Sequence, residues 1–182
     1  MDSELLFTIA EVAVAFAGFS GIAVALRRSS PNGLSPHARR SLWYLVIDCL
    51  VVLFFAFLPA LLAQFEVETA RLWAISNAAL GVAHIVLLGP ALLWFARHPA
   101  QVRQEWQPWI SPIQSSLMAW SAAIGSLQLL AAAGIGPAAS PGLFSVGLLA
   151  FLLFAAVDFV FLVAGEDAAP PTPEPPSDTP AA

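Results

Sequence analysis

Five long apolar runs constrain the fold of this 182-residue chain more than any other feature. A helix of about 18 to 20 apolar residues is long enough to cross the ~30 Å hydrocarbon layer of a membrane. The runs cover approximately residues 5–26, 42–63, 72–96, 113–135 and 143–164. The sequence therefore predicts an all-α, polytopic membrane protein in which residues 1–164 form a bundle of five transmembrane helices.

The composition excludes a water-soluble fold. Hydrophobic residues make up 59% of the chain and charged residues only 10%, whereas soluble domains have about 45–50% apolar and about 25% charged residues. A chain of this size has too little interior to hide so much apolar surface from water. The excess apolar surface is therefore expected to face lipid.

Helix-breaking residues separate the last two runs. Gly134, Gly136 and Pro137 are followed closely by the pair Pro141-Gly142. Such a cluster interrupts a helix and suits a tight turn. The fourth and fifth runs are therefore expected to form a helical hairpin.

The distribution of arginine predicts the orientation of the bundle, because short cytoplasmic loops are enriched in basic residues. Six of the seven basic residues lie in the first and third loops and one lies in the second; in chain order they are Arg27, Arg28, Arg39, Arg40, Arg71, Arg97 and Arg103. We therefore expect the N-terminus outside and the C-terminus in the cytoplasm. The leader Met1-Asp2-Ser3-Glu4 is acidic, which favours an uncleaved first span over a signal peptide.

The chain changes character after Ala164. Residues 165–182 are rich in proline and acidic residues and contain no large apolar side chain, which is typical of a disordered tail. This segment holds four of the twelve acidic residues, so eight remain before it against seven arginines. The net charge of -5 is mainly a property of the tail.

Four ionisable side chains fall within the spans, and they are Glu11, Asp48, His84 and Asp158. A charged residue at the centre of a membrane costs about 3 kcal/mol on insertion scales, so each is a functional candidate. We expect Glu11 in the outer third, His84 near the middle, and the two aspartates in the inner third. An acid, imidazole, acid series suits a proton or cation path. The alternative is structural: the aspartates could sit near the inner headgroup region or pair with arginines, and His84 could donate to a carbonyl.

Polar residues in the third and fourth spans recur at helical spacing. Asn77, Gly81 and His84 follow at intervals of four and three, so they share one face. The fourth span carries a longer stripe, which consists of Gln114, Ser121, Gly125 and Gln128. Lipid cannot satisfy an amide, so the stripe is expected either to line a hydrated path or to hydrogen-bond neighbouring helices.

The first span carries a small residue at every fourth position, namely at Ala13, Ala17, Gly21 and Ala25. Such a ladder lets another helix approach closely. The partner could be a helix of the same chain, a second copy in a homo-oligomer, or another membrane protein. Glu11 lies off most of this ladder, on the face of Ala15, Gly18 and Ile22, so packing and chemistry are expected on different sides.

Catalytic and metal-binding motifs are missing from the sequence. It contains no Gly-x-Ser-x-Gly, no His-Glu-x-x-His and no phosphate-binding glycine loop outside the spans. Cys49 is the single cysteine, so no disulfide or cysteine-based metal site can form within one chain. An intramembrane pair of Asp48 and Asp158 is the remaining route to a hydrolase. We therefore expect no enzyme, no cofactor and no metal, the lipid bilayer as partner, and no nucleic acid.

The segment Ile9 to Gly21, which reads IAEVAVAFAGFSG and is followed by Arg27-Arg28, resembles the first span of small multi-pass bacterial inner-membrane proteins of unassigned function. The resemblance implies a bacterial inner membrane and no particular chemistry. The buried ionisable series favours a small proton- or cation-conducting channel or transporter-like protein, with Glu11 and His84 on the path. The alternative is a non-transporting scaffold or accessory subunit in which the buried polar groups only lock helices together.

Overall fold

The computed structural model describes residues 2–28, 36–98 and 110–164. These residues form α1 (Asp2–Arg28), α2 (Pro36–Ala63), α3 (Thr69–Arg97), α4 (Ile110–Ala132) and α5 (Pro141–Ala164), with no strand among them. All five helices are long and apolar enough to cross a membrane. The predicted helical class is confirmed, and the described residues contain five helices of membrane-spanning length, as predicted. The predicted tail, residues 165–182, lies outside the described residues.

The bundle has two chemically different ends. The short connections 64–68 and 133–140 lie at one end, which we call the turn end. The opposite end, which we call the arginine end, holds the start of α2 with Arg39 and Arg40 and the end of α3 with Arg97. Arg71, in the first turn of α3, lies at the turn end. Which end faces the cytoplasm stays a prediction.

The helical hairpin of α4 and α5 follows from local turn chemistry. Gly134 and Gly136 adopt φ values of +75° and +90°, which only glycine adopts readily, so α4 ends at Ala132 rather than at the predicted residue 135. At the start of α5, the Leu143 amide donates to Ser140 Oγ at 3.2 Å. Ser140 is thus the N-cap, and Pro141 occupies the first helical position, where it loses no hydrogen bond.

The second helix begins six residues before the predicted start of its span, at Pro36 instead of residue 42. Its first turn is polar and basic, so an apolar window does not detect it. Proline is favoured at the first position of a helix because its fixed φ suits the helix and its missing amide hydrogen is not needed there. The added turn places Arg39 and Arg40 on the helix itself.

The last helix is the centre of the bundle. α5 packs against each of the other four helices. Half of its most apolar window is buried, against 28% of the corresponding window of α1. Aromatic contacts attach its neighbours: Trp73 of α3 packs on Phe144 with centroids 5.9 Å apart, and Phe16 of α1 packs on Phe159 at the same distance. α1 is therefore the most peripheral helix.

The small-residue ladder of α1 is used only in part within the chain. Ala13 is fully buried in the core, and Ala17 packs partly against it. Gly21 and Ala25 are exposed, and a β carbon added at Gly21 would meet nothing within 4 Å. The first half of the ladder therefore contacts the bundle, and the second half faces outward.

Candidate functional site

Polar side chains of α3 and α4 come together inside the bundle. They are Ser76, Asn77, His84, Gln114, Ser121 and Gln128, all of them buried. We call this group the polar seam. It contains every predicted site residue of the third and fourth spans. The helical spacing that predicted a shared face in each span thus corresponds to an inward face in both.

The seam forms where two helix backbones approach closely. A β carbon added at Gly81 would lie 2.8 Å from the carbonyl oxygen of Gly125, which is closer than van der Waals contact. A β carbon added at Gly125 would lie 2.6 Å from Cβ of His84. Only glycine fits at these two positions. The two glycines bring α3 against α4 and position the imidazole between them.

His84 lies at the middle of the seam. Its Nδ1 is hydrogen-bonded to Ser121 Oγ at 2.7 Å, and its ring stacks on Phe151 of α5 with centroids 4.3 Å apart. Nε2 has no partner that meets hydrogen-bond geometry among the described residues, but the backbone of Gly147 lies close enough to act on the ring as a hydrogen-bond partner. The imidazole thus has one well-formed hydrogen bond, to Ser121, and the backbone of α5 as its other polar neighbour.

Two amides occupy the part of the seam nearest the turn end. Asn77 donates from Nδ2 to the carbonyl oxygens of Trp73 at 2.9 Å and Ser140 at 3.2 Å, which fixes α3 to the start of α5. Gln128 donates from Nε2 to the carbonyl oxygen of Leu143 at 3.3 Å. Each amide thus uses its nitrogen to hold the hairpin and leaves its oxygen unpaired.

Several buried polar atoms of the seam have no hydrogen-bond partner among the described residues. Its unpartnered buried atoms among the described residues are Ser76 Oγ, Asn77 Oδ1, His84 Nε2, Gln114 Oε1 and Gln128 Oε1. Leaving one such group unsatisfied costs about 1–3 kcal/mol, and folded proteins contain few of them. Buried polar atoms of this kind are the groups that internal water satisfies in folded proteins.

Asp48 of α2 and Asp158 of α5 form a second buried group, closer to the arginine end. Both are less than a tenth exposed, and they lie within electrostatic range of each other. Among the described residues, neither forms an ion pair with an arginine. The fold thus brings together the two carboxyls that the sequence offered as an intramembrane pair. We call them the acidic pair.

One face of α5 connects the polar seam to the acidic pair. Gly147, Phe151 and Asp158 follow at intervals of four and seven, so they form one stripe. A β carbon at Gly147 would collide with the Gln128 amide, and Phe151 contacts His84. Asp158 lies seven residues beyond Phe151, or about 10 Å along the helix.

The sequence analysis missed Gly147 and Phe151. A signal was available: Gly147 is a small residue within a strongly apolar span and lies on the same face as Asp158. Phe151 carries no such signal, because a phenylalanine in an apolar span is equally expected against lipid.

Glu11 is separate from the other ionisable residues. It is exposed on α1, as are Ala15, Gly18 and Ile22 on the same face. The opposite face of α1, which carries Ala13, packs against the bundle. The structure therefore does not bring Glu11 to His84, with which the sequence placed it on one path.

Among the described residues, no group of three or more His, Cys, Asp or Glu side chains is arranged to hold a metal ion. Comparison of the chain with protein-family models, curated proteins and solved structures finds no match, so its function has to be argued from the geometry of the seam and its surroundings.

Proposed function

We propose that this protein conducts protons across a bacterial inner membrane, along the face of α5 that joins the polar seam to the acidic pair. The observation that supports the proposal is that five buried polar atoms of the seam, His84 Nε2 among them, have no hydrogen-bond partner among the described residues. A bundle that only needed to lock its helices would gain by pairing these atoms or by replacing them with apolar ones. Buried polar atoms without a protein partner lower the stability of the fold, but they can bind water along a proton path.

The seam residues have distinct roles in this path. His84 can take up a proton on one ring nitrogen and release one from the other, and the Ser121 hydroxyl can both donate and accept. The oxygens of Asn77 and Gln128 would hold water between the turn end and the imidazole. Most of the proposed path therefore consists of neutral groups within the apolar layer, where a charge is most costly.

The acidic pair would complete the path toward the arginine end. Two carboxylates close together in a medium of low dielectric constant repel each other strongly. One proton held between Asp48 and Asp158 removes that repulsion, and a proton that arrives from the seam displaces it toward the end of the bundle. The pair thereby acts as a relay, and no bond of a substrate is broken.

The proposal is tested with full-length protein in liposomes that contain a pH-sensitive dye and carry a pH gradient. Wild-type protein should dissipate the gradient faster than empty liposomes, and His84→Gln and Asp158→Asn should each remove most of that flux. Glu11→Gln is the matched control, because it changes a carboxyl outside the path, and it should conduct like the wild type. Thermal unfolding of each variant shows whether a lost flux reflects a lost fold. Undiminished flux in folded His84→Gln would overturn the proposal.

A second candidate function is that of an accessory subunit that docks on a neighbouring membrane protein or a second copy through α1. The observation that favours it is Glu11, an exposed carboxyl in an apolar span, beside Gly18 and Gly21, which have open space around them. A docked helix would cover the carboxyl and use the space above the glycines.

A single introduced cysteine distinguishes the possible occupants of this face. Cys49 is buried, so Gly18→Cys provides the only accessible thiol among the described residues. A disulfide-linked dimer formed in native membranes by Gly18→Cys, and not by the exposed α4 control Leu130→Cys, would identify a second copy. A monomer with Gly18→Cys freely labelled by a maleimide would contradict docking on this face.

We further propose that the arginine end faces the cytoplasm. The asymmetry of arginine between the two ends supports this orientation. Fusion of alkaline phosphatase to the C-terminus should be inactive, and fusion of a green fluorescent protein should be fluorescent. The opposite pattern would reverse the orientation.

A further inference from the structure

The start of α2 forms a cleft at the arginine end that the proposed path does not use. It has a volume of about 540 Å³ and is lined by Arg39, Arg40, Leu42 and Trp43. Both arginines are exposed, and neither forms an ion pair with another described residue. The cleft therefore presents two guanidinium groups that no described carboxylate neutralises, beside an apolar wall.

The position of the two arginines on the helix adds to this positive potential. α2 begins at Pro36, so Arg39 is the last residue of its first turn and Arg40 the first residue of its second. The amide groups of a first turn have no partners within the helix and carry a partial positive charge. Guanidinium groups bind phosphate oxygens in pairs of parallel hydrogen bonds. The site is thus complementary to a phosphate group.

The other two described residues of the cleft, Leu42 and Trp43, indicate whether the phosphate belongs to a lipid or to a free anion. Trp43 is 68% exposed, and the indole ring is favoured at the depth of lipid headgroups, where its N–H reaches water and its ring contacts acyl chains. Leu42 continues the apolar surface into the span. A soluble anion would gain nothing from these two side chains, whereas a phospholipid would contact them with its glycerol and upper acyl carbons.

We propose that this cleft binds the headgroup of an anionic phospholipid, with Arg39 and Arg40 on the phosphate and Trp43 against the glycerol region. The ligand class is a phosphodiester of net negative charge, such as phosphatidylglycerol, rather than a zwitterionic phospholipid. An arginine near an anionic membrane surface contributes about 1 kcal/mol, so two predict a preference of about 30-fold.

The test uses the full-length protein in detergent, with native mass spectrometry to count retained phosphatidylglycerol and phosphatidylcholine from an equimolar mixture. Wild type should retain phosphatidylglycerol at about 30-fold higher apparent affinity. The double variant Arg39→Gln/Arg40→Gln should lose the preference. Arg71→Gln is the matched control, because Arg71 is also exposed and lies at the other end. Equal retention of the two lipids by wild type, or an equal loss in Arg71→Gln, would overturn the proposal.

A competition experiment distinguishes binding of a lipid from binding of a free anion. Inorganic phosphate at millimolar concentration should leave retained phosphatidylglycerol unchanged, since it lacks the contacts with Leu42 and Trp43. Displacement by inorganic phosphate would contradict the lipid assignment. Trp43→Ala should lower phosphatidylglycerol retention by several fold while the thermal unfolding temperature is unchanged, and full retention would contradict the position given to the indole.

Discussion

The polar seam and the outward face of α1 both place glycine and polar groups in the apolar layer, but the fold packs them in opposite ways. At the seam, Gly81 and Gly125 are in backbone contact and His84 is fully buried. On α1, Gly18 has nothing within 4 Å of a β carbon, and Glu11 is exposed. The same residue types therefore mark an occupied interface in one region and an open surface in the other.

The difference shows what the sequence pattern alone measures. A glycine in a span indicates that a second backbone can approach closely, but it does not indicate that one does. A polar side chain in a span says that it needs a partner, which is a helix of this chain at the seam. On α1, Glu11 is exposed, and no such packing is seen among the described residues. Substitutions that test the contrast in matched pairs should therefore have large effects at the seam and small effects on α1.

The largest contrast is expected for phenylalanine. Phe151→Ala removes a fully buried ring that stacks on His84, and burial of this kind predicts a loss of about 3–5 kcal/mol in the free energy of unfolding. Phe19→Ala on α1 removes a side chain that is 60% exposed and should change that free energy by about 0.5 kcal/mol or less. Unfolding by a denaturing detergent in mixed micelles measures both. Similar losses in the two variants would mean that α1 is buried as deeply as the seam.

A methyl group added at one glycine of each region should give the next largest contrast in stability. Gly125→Ala forces a β carbon against His84, and overpacking predicts a destabilisation of about 1–3 kcal/mol. Gly18→Ala meets open space and should be neutral or slightly stabilising, because alanine favours helix more than glycine by up to about 1 kcal/mol. The same unfolding assay is used. A stable Gly125→Ala protein would contradict the close approach of α3 and α4.

The hydrogen bond of the seam should contribute less. Ser121→Ala removes the partner of His84 Nδ1, and hydrogen bonds between transmembrane helices average about 0.6 kcal/mol, with a maximum of about 1.7 kcal/mol. Ser126→Ala is the control, because the Ser126 hydroxyl bonds to the carbonyl of Ala122 in its own helix. Proton flux distinguishes the two more sharply than stability does. It should fall in Ser121→Ala and stay at the wild-type rate in Ser126→Ala.

The smallest effect on the isolated protein is expected at Glu11. Glu11→Gln preserves the shape of an exposed side chain, so the free energy of unfolding of the variant should change by about 0.5 kcal/mol or less. Its proton flux should equal that of the wild type. A strong loss of flux in this variant would restore Glu11 to the path and would contradict the separation of the two regions.

The helices could be predicted closely because an apolar run long enough to span a membrane has few alternatives. Their ends were less predictable where polar residues extend a helix beyond the apolar layer, as at Pro36, or where glycine ends it early, as at Gly134. The faces of α3 and α4 were predictable as well, since Asn77 and His84 repeat at helical spacing.

The arrangement of the site was less accessible from the sequence. Periodicity assigns residues to a face but does not say which face of which helix turns inward. On α1 both sides carry small residues, so the outward position of Glu11 follows only from packing. The closeness of Asp48 and Asp158 depends on α2 lying beside α5, which is a tertiary contact with no local signal.

Water-edited solid-state NMR of the protein in lipid bilayers tests the proton path through the seam, because it measures the transfer of polarisation from mobile water to individual sites. We expect rapid transfer to the side chains of His84 and Gln128, although both are fully buried, and slow transfer to Leu80, which is buried to the same extent in α3. Equally slow transfer to all three would show that the seam is dry and would contradict a proton path through it.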